Sequence, residues 1–244
     1  MKKSALITVF LTTLLVASFS VKGQTVQRMD PPNWWIDHPL DTVEILLQGE
    51  GLLKWAAQVE KPVGKVLQTT HYGDRYSLVK LWIRSGFNDD GFNITLGSKD
   101  FFFPLLERSG HQPQGLSDQD LVYLITPDRF HNGDPSNDDV PGMRERGVDR
   151  SEPYARHGGD LQGIQMGLDY IESLGATALW LNPVLENDMM RDSYHGYAIT
   201  DHYRVDPRYG GDDALRELAT ELHQREMKHV MDIVYNHWGV EHYL

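Results

Sequence analysis

The sequence predicts two parts in series, a β-sandwich and then strand-helix units that build a parallel sheet. Three observations carry this. Short runs bounded by turn residues fill the chain from about Pro31 to Arg108, with no helical period of useful length. From Asp118 onward, apolar strands alternate with amphipathic helices. Between them, Ser109-Gly-His-Gln-Pro-Gln-Gly115 has the composition of a linker.

The elements follow in order. Lys2 and Lys3 precede an apolar run from Ala5 to Phe19, and Val21 and Gly23 supply small residues ahead of Gln24. This pattern predicts a signal peptide over residues 1–23, because a membrane span needs about 20 apolar residues. An exported chain with no cysteine fits a bacterial periplasm, or secretion from a bacterium, better than a eukaryotic extracellular space. Disulfides, thiolate catalysis and zinc-thiolate sites are excluded with the cysteines.

A first domain is expected over residues 24–112. Its strands are read at Thr42–Leu47, Lys65–Thr69, Ser77–Arg84, Phe92–Leu96 and Lys99–Leu105, with Asn88-Asp-Asp-Gly91 as a turn. Trp34, Trp35, Trp55 and Trp82 fall here, and core packing is the expected use of most of them, with ligand stacking as the alternative.

A second domain is expected over residues 118–244. Leu121–Thr126 reads as its first strand, and Leu161, Ile164, Leu168, Ile171 and Leu174 mark one helix closed by Gly175. Ala176–Leu181 is the second strand, ended by Asn182-Pro183. Asp212 is placed to cap a helix carrying Leu215, Leu218 and Leu222, and His229–Tyr235 is the third strand. Strands apolar throughout predict a sheet covered on both faces.

The formal charge of −12 argues against nucleic acid as a partner, since a polyanion would be repelled. A neutral sugar or a bound cation is compatible with it.

In such units, functional groups collect beyond the C-terminal ends of the strands. Asn132, Asp134, Asn137 and Asp138 put four hard oxygens into one loop, a set suited to calcium. The same residue types build turns with no ion. An EF-hand is excluded, because its twelfth position would be Met143 rather than Glu. Tyr194-His-Gly-Tyr197 suits a pyranose, with a ring to stack and an imidazole to donate; packing on its own domain is the plainer use. Asp232, Asn236 and His237 sit on and just after the third strand.

These motifs resemble glycoside hydrolase family 13, the α-amylase family, and within it the cyclomaltodextrinase and neopullulanase group. The matching pieces are residues 127–130 (Pro-Asp-Arg-Phe), 158–163 (Gly-Gly-Asp-Leu-Gln-Gly), 179–184 (Leu-Trp-Leu-Asn-Pro-Val), 194–197, 201–210 and 232–237. Pro31-Pro-Asn-Trp-Trp35 resembles the start of that group's immunoglobulin-like N-terminal domain. The resemblance implies an immunoglobulin-like sandwich followed by about three units of a (β/α)8 TIM barrel, and hydrolysis of α-1,4-glucosidic bonds in maltodextrins, cyclodextrins or starch.

It also implies roles. His195, Tyr197 and His237 would line the subsite of the glucose whose bond is cleaved. Asn236 would brace the loop, and Asp232 would be buried and orient an arginine of a following strand. Ca²⁺ would be held by Asn132, Asp134, Asn137, Asp138, the Gly158 carbonyl and Asp160. A homodimer is implied for the full-length family. Retention needs two carboxyls about 5–5.5 Å apart. In the family these follow the fourth and fifth strands, so the expectation is that no catalytic nucleophile or acid/base is present. Asp118 to Leu244 is about half of the ~250 residues a full barrel takes. A chain so truncated is expected to be inactive alone, with a non-catalytic glucan-binding or partner-binding protein as the alternative.

Overall fold

In the computed structural model, which describes residues 25–36, 38–107 and 115–244, the chain divides into two units, Met1–Gly110 and His111–Leu244. The expected signal peptide lies outside the described residues. Among the described residues, no helix is long and apolar enough to cross a membrane.

The first unit is built of β1 (Thr25–Asp30), β2 (Trp34–Trp35), β3 (Thr42–Glu50), β4 (Ala57–Gln58), β5 (Gly64–Tyr72), β6 (Tyr76–Ile83), β7 (Gly91–Leu96) and β8 (Lys99–Leu106). They form two four-stranded sheets, in the orders β1-β3-β6-β5 and β2-β8-β7-β4. All pairings are antiparallel except β2 with β8. Strand alternation decides what faces in. Val43, Ile45 and Leu47 of β3 are buried together with Val79, Leu81, Phe92, Ile94, Leu96, Phe103 and Leu105. Each such side chain stabilises the sandwich by roughly 1.5–3 kcal/mol through its burial. All five expected strands are present. The tryptophans depart from expectation: Trp35 and Trp55 are 40% and 43% exposed, so neither belongs to the core.

The second unit contains β9 (Val122–Ile125), α1 (Leu161–Met166), α2 (Leu168–Ser173), β10 (Ala178–Leu181), β11 (Leu185–Glu186), β12 (Asp201–Val205), α3 (Gly211–Gln224) and β13 (Lys228–Met231). β9, β10 and β13 form a parallel sheet in the order β13-β10-β9, so consecutive strands are neighbours, as in an opening barrel. Leu161, Ile164, Leu168 and Ile171 of the first two helices and Leu218 and Leu222 of α3 pack on Ile125, Leu179 and Leu181.

Four sequence readings need correction. The helix expected over 161–174 is two short helices broken at Gly167, where glycine is a poor helix former and the Phe130 ring occupies the space a side chain would take. Asp212 is not a cap. Gly210 holds that position, and the Asp212 carboxylate instead accepts from Val205 N at 2.8 Å. The third strand ends at Met231 rather than Tyr235, because its partner β10 ends at Leu181 ahead of Asn182-Pro183. Finally, the sheet is covered on one face only. Leu124 and Trp180, paired in the register, are 58% and 39% exposed, because all three helices pack on the opposite face.

Candidate functional site

The C-terminal ends of β9, β10 and β13 open onto three loops, and hydrogen bonds tie these together. After β9, Pro127–Arg129 forms a 3-10 turn that buries Asp128. Its carboxylate accepts from His157 N at 2.8 Å and Gly158 N at 3.3 Å, and it is paired with Arg129 and Arg156. Asn182, at the end of β10, donates to Thr126 Oγ1 at 3.1 Å, which joins the first two strand ends.

A rigid support lies behind the aromatic loop. Asp206 and Arg208 are both buried, and the Asp206 carboxylate accepts from Arg208 Nε at 2.9 Å and Nη2 at 2.7 Å. Burial opposes the Asp206 charge, but the hydrogen bonds and charge of Arg208, with Arg156 nearby, hold its carboxyl below the usual range. Arg208 also donates to the Glu145 and Asn187 carbonyls. From this base, Glu145 accepts from Ser193 N at 2.8 Å and Tyr209 OH donates to Tyr194 O at 3.0 Å. Arg129 lies 3.8 Å over the Tyr194 ring. The turn closes at Gly196 with φ +80°, where any β-carbon would lie 2.0 Å from Pro183 O.

His195 and Tyr197 are thereby held side by side, with rings stacked at 5.9 Å. Tyr197 N donates to His195 Nδ1 at 2.9 Å, which makes Nδ1 the acceptor and leaves the proton on Nε2. Burial pushes the His195 pKa down against the pull of Asp192 and Glu145, so the ring is neutral near pH 7. Tyr197 OH donates to Asp232 Oδ2 at 3.0 Å. Burial first, then Asp232, raises the pKa of that hydroxyl. Trp180 Nε1 reaches the same oxygen at 3.3 Å. His237 Nε2 donates to the Tyr197 carbonyl at 3.0 Å, and Asn236 Nδ2 lies 3.4 Å from His237 Nδ1.

All five residues named from the sequence for this region therefore converge. Asp232 departs from its expected setting: it lies just past β13, half-buried, and serves Tyr197 and Trp180. Trp180 and Arg129 were missed. Trp180 sits in an apolar run where a site residue and a core residue look alike, while Arg129 stood in a quoted motif without a role.

The oxygen-rich loop is folded around Asp160. This buried carboxylate accepts from Gly133 N, Asp134 N, Asn137 Nδ2 and Gly163 N. Asp134 caps its own turn by accepting from Ser136 N and Oγ, which holds its carboxyl below the usual range. Asn132 donates to Asp138 at 2.8 Å. The Oδ1 atoms of Asn132 and Asn137 are buried with no hydrogen-bond partner. Gly158 adjoins them, since a side chain there would meet Asp138 Oδ1 and Asn132 Nδ2. Among the described residues, no three His, Cys, Asp or Glu side chains are grouped to hold a metal, so the free oxygens here are amide oxygens.

A parallel sheet with aromatic and polar loops at its C-terminal edge, preceded in the chain by a β-sandwich, is the class of fold that opens a multidomain α/β-barrel protein. Residues 124–244 match the model of the alpha amylase catalytic domain, and residues 28–109 match the cyclomaltodextrinase N-terminal domain. The chain belongs to the α-amylase family of glycoside hydrolases. It is 37% identical over 146 residues to a cyclomaltodextrinase of Thermoanaerobacter pseudethanolicus, covering 60% of this chain and 23% of that one. It is 40% identical over 120 residues to neopullulanase 2 of Thermoactinomyces vulgaris, covering 49% and 20%. A cyclomaltodextrinase of Geobacillus thermopakistaniensis is 32% identical over 198 residues, 77% of this chain and 31% of that one. The chain thus spans a fifth to a third of these relatives' length.

Proposed function

We propose that the loops at the β9, β10 and β13 ends form one wall of a subsite for α-1,4-linked glucose. The observation that carries this is His195. Its Nδ1 is occupied by Tyr197 N, so Nε2–H is a free donor beside the exposed Tyr197 ring, which suits a pyranose hydroxyl and the sugar's apolar face. His237 has its Nε2 engaged by Tyr197 O, so it braces this wall and reaches sugar only by exchanging that bond. In this reading the substrates are maltodextrins, cyclodextrins or starch, the protein is exported, and the full-length form is a homodimer.

The reading also includes Ca²⁺. Two unpartnered amide oxygens, Asn132 Oδ1 and Asn137 Oδ1, with the Asp138 carboxylate and the adjoining Gly158 backbone, are a hard-oxygen set that fits this ion. Asp134 and Asp160 contribute by holding the loop. The ion's contribution is structural.

A second reading, a non-catalytic glucan-binding protein, is favoured by the strand-end carboxylates. Asp128 is committed to ion pairs and Asp232 to Tyr197 and Trp180, so neither is poised as a nucleophile or acid. Titration of the protein with maltoheptaose, in parallel with reducing-sugar release, tests both. Binding that weakens in His195→Ala and Tyr197→Ala supports the subsite, and release of sugar at an ordinary enzymatic rate removes the non-catalytic reading. No difference in binding between these variants and the parent would refute the subsite.

A further inference from the structure

The Pro31-Pro-Asn-Trp-Trp35 motif has no part in the site above. It lines a pocket of about 450 Å³ within the first unit, inside the range of ordinary small-ligand sites. Trp35 is 40% exposed there, and Trp34, Trp35 and His38 form an aromatic cluster. The Trp34 and His38 rings are 4.5 Å apart. Trp34 packs against the sandwich core, but a packed core gives no reason to keep Trp35 at a rim, since exposing an indole forfeits its burial.

The polar groups around these rings are mostly donors without partners. His38 Nδ1 lies 3.0 Å from Leu40 N and 3.3 Å from Leu40 O, so the Leu40 backbone engages that nitrogen in either tautomer, and among the described residues no group meets Nε2. Trp34 Nε1 is buried with no acceptor, an arrangement that ordinarily costs about 1–3 kcal/mol. Arg84 and Ser85 line the same pocket, and among the described residues their side chains make no hydrogen bond or ion pair. The Asp41 carboxylate in the same lining is oriented by Trp82 Nε1 at 2.8 Å and by Thr42 Oγ1 at 3.2 Å.

An exposed indole, the side-chain polar groups of His38, Arg84 and Ser85 and the carboxylate of Asp41 match a ring that is apolar on its face and bears hydroxyls at its edge. We propose that this pocket is a separate sugar-binding site, which takes a pyranose of a neutral α-glucan with its face on Trp35. Hydroxyls of the sugar accept from Arg84, donate to Asp41 and exchange hydrogen bonds with His38 Nε2 and the Ser85 hydroxyl. A lining with one guanidinium, Arg84, and one carboxylate, Asp41, in a chain of net charge −12, disfavours an anionic ligand. The choice of glucan over other sugars rests on the function proposed above; the pocket itself does not.

The test is made on the whole chain carrying His195→Ala and Tyr197→Ala, which disables the other wall. Titration with maltoheptaose is expected to show binding that falls about tenfold in Trp35→Ala and is largely kept in Trp35→Phe. Far-UV circular dichroism establishes that each variant is folded. Unchanged affinity in a folded Trp35→Ala variant overturns the proposal. So does binding of inorganic phosphate that depends on Arg84 and displaces maltoheptaose. Loss of a dimer on sedimentation of Trp35→Ala, with no sugar bound by the parent, makes the pocket an interface and overturns it too. If Trp35→Ala weakens binding while His195→Ala and Tyr197→Ala do not, the pocket stands and the subsite reading fails.

Discussion

Asp206→Asn is the most demanding perturbation of the second unit. The substitution keeps shape and removes charge from a carboxylate that is fully buried and accepts from Arg208 N, Nε and Nη2 and from Asn187 N. Breaking a buried pair from one side leaves the other charge uncompensated, at a cost of about 3–5 kcal/mol. Arg208 keeps its bonds to the Glu145 and Asn187 carbonyls, which sets the expectation at the low end, about 3 kcal/mol. Local opening of residues 184–210 should then rise about a hundredfold, read as lost protection by hydrogen-exchange mass spectrometry. The His195 loop should loosen with it, since Glu145 and Tyr209 connect the pair to Ser193 and Tyr194. Linkage adds a second readout. The folded-state pKa of Asp206 is depressed, so its stabilisation is complete above about 3.9, the unfolded value, and is lost as pH falls through the folded value. The variant should lack that acid dependence. The reasoning is refuted if Asp206→Asn costs under about 1 kcal/mol, or if Asp206→Leu with Arg208→Met costs more than the two single changes together.

Three further outcomes are expected. Gly163→Ala should destabilise the second unit by more than 1 kcal/mol by thermal unfolding, because its β-carbon would lie 1.9 Å from His131 O in a turn held by Asp160 (order of magnitude, ~1–3 kcal/mol). His229→Leu should raise stability by about 1 kcal/mol, since His229 Nε2 is buried without a partner. Burial, aided by His223, depresses the His229 pKa, so the parent should lose stability as pH falls below about 6.5 and the variant should lose less. Added Ca²⁺ should raise the melting temperature of the parent in a chelator-reversible way, and Asn137→Ala should abolish the rise; equal shifts in both proteins would exclude the loop as the site.

Much of the fold was legible because period and punctuation agreed. The alternation in Val43, Ile45 and Leu47 and the three-and-four spacing from Leu161 to Leu174 read directly onto the two cores. What failed had a tertiary cause. The break at Gly167 depends on Phe130, 37 residues earlier, and the end of β13 depends on where β10 stops. The uncovered face of the sheet was equally hidden, because Leu124 and Trp180 are apolar whichever way they point.

The site divides along the same line. Residue types at strand ends named His195, Tyr197, Asp232 and His237, and these do meet. Their protonation and division of labour could not be read, because both are set by single contacts across the chain. Tyr197 shows this best: its backbone N–H sets the tautomer of His195, its carbonyl engages His237, and its hydroxyl engages Asp232. One residue thus sets which histidine has a free N–H. The aromatic loop is accordingly more than a stacking surface: replacing Tyr197 by Phe removes only the Asp232 bond, whereas any shift of its backbone releases both histidines at once.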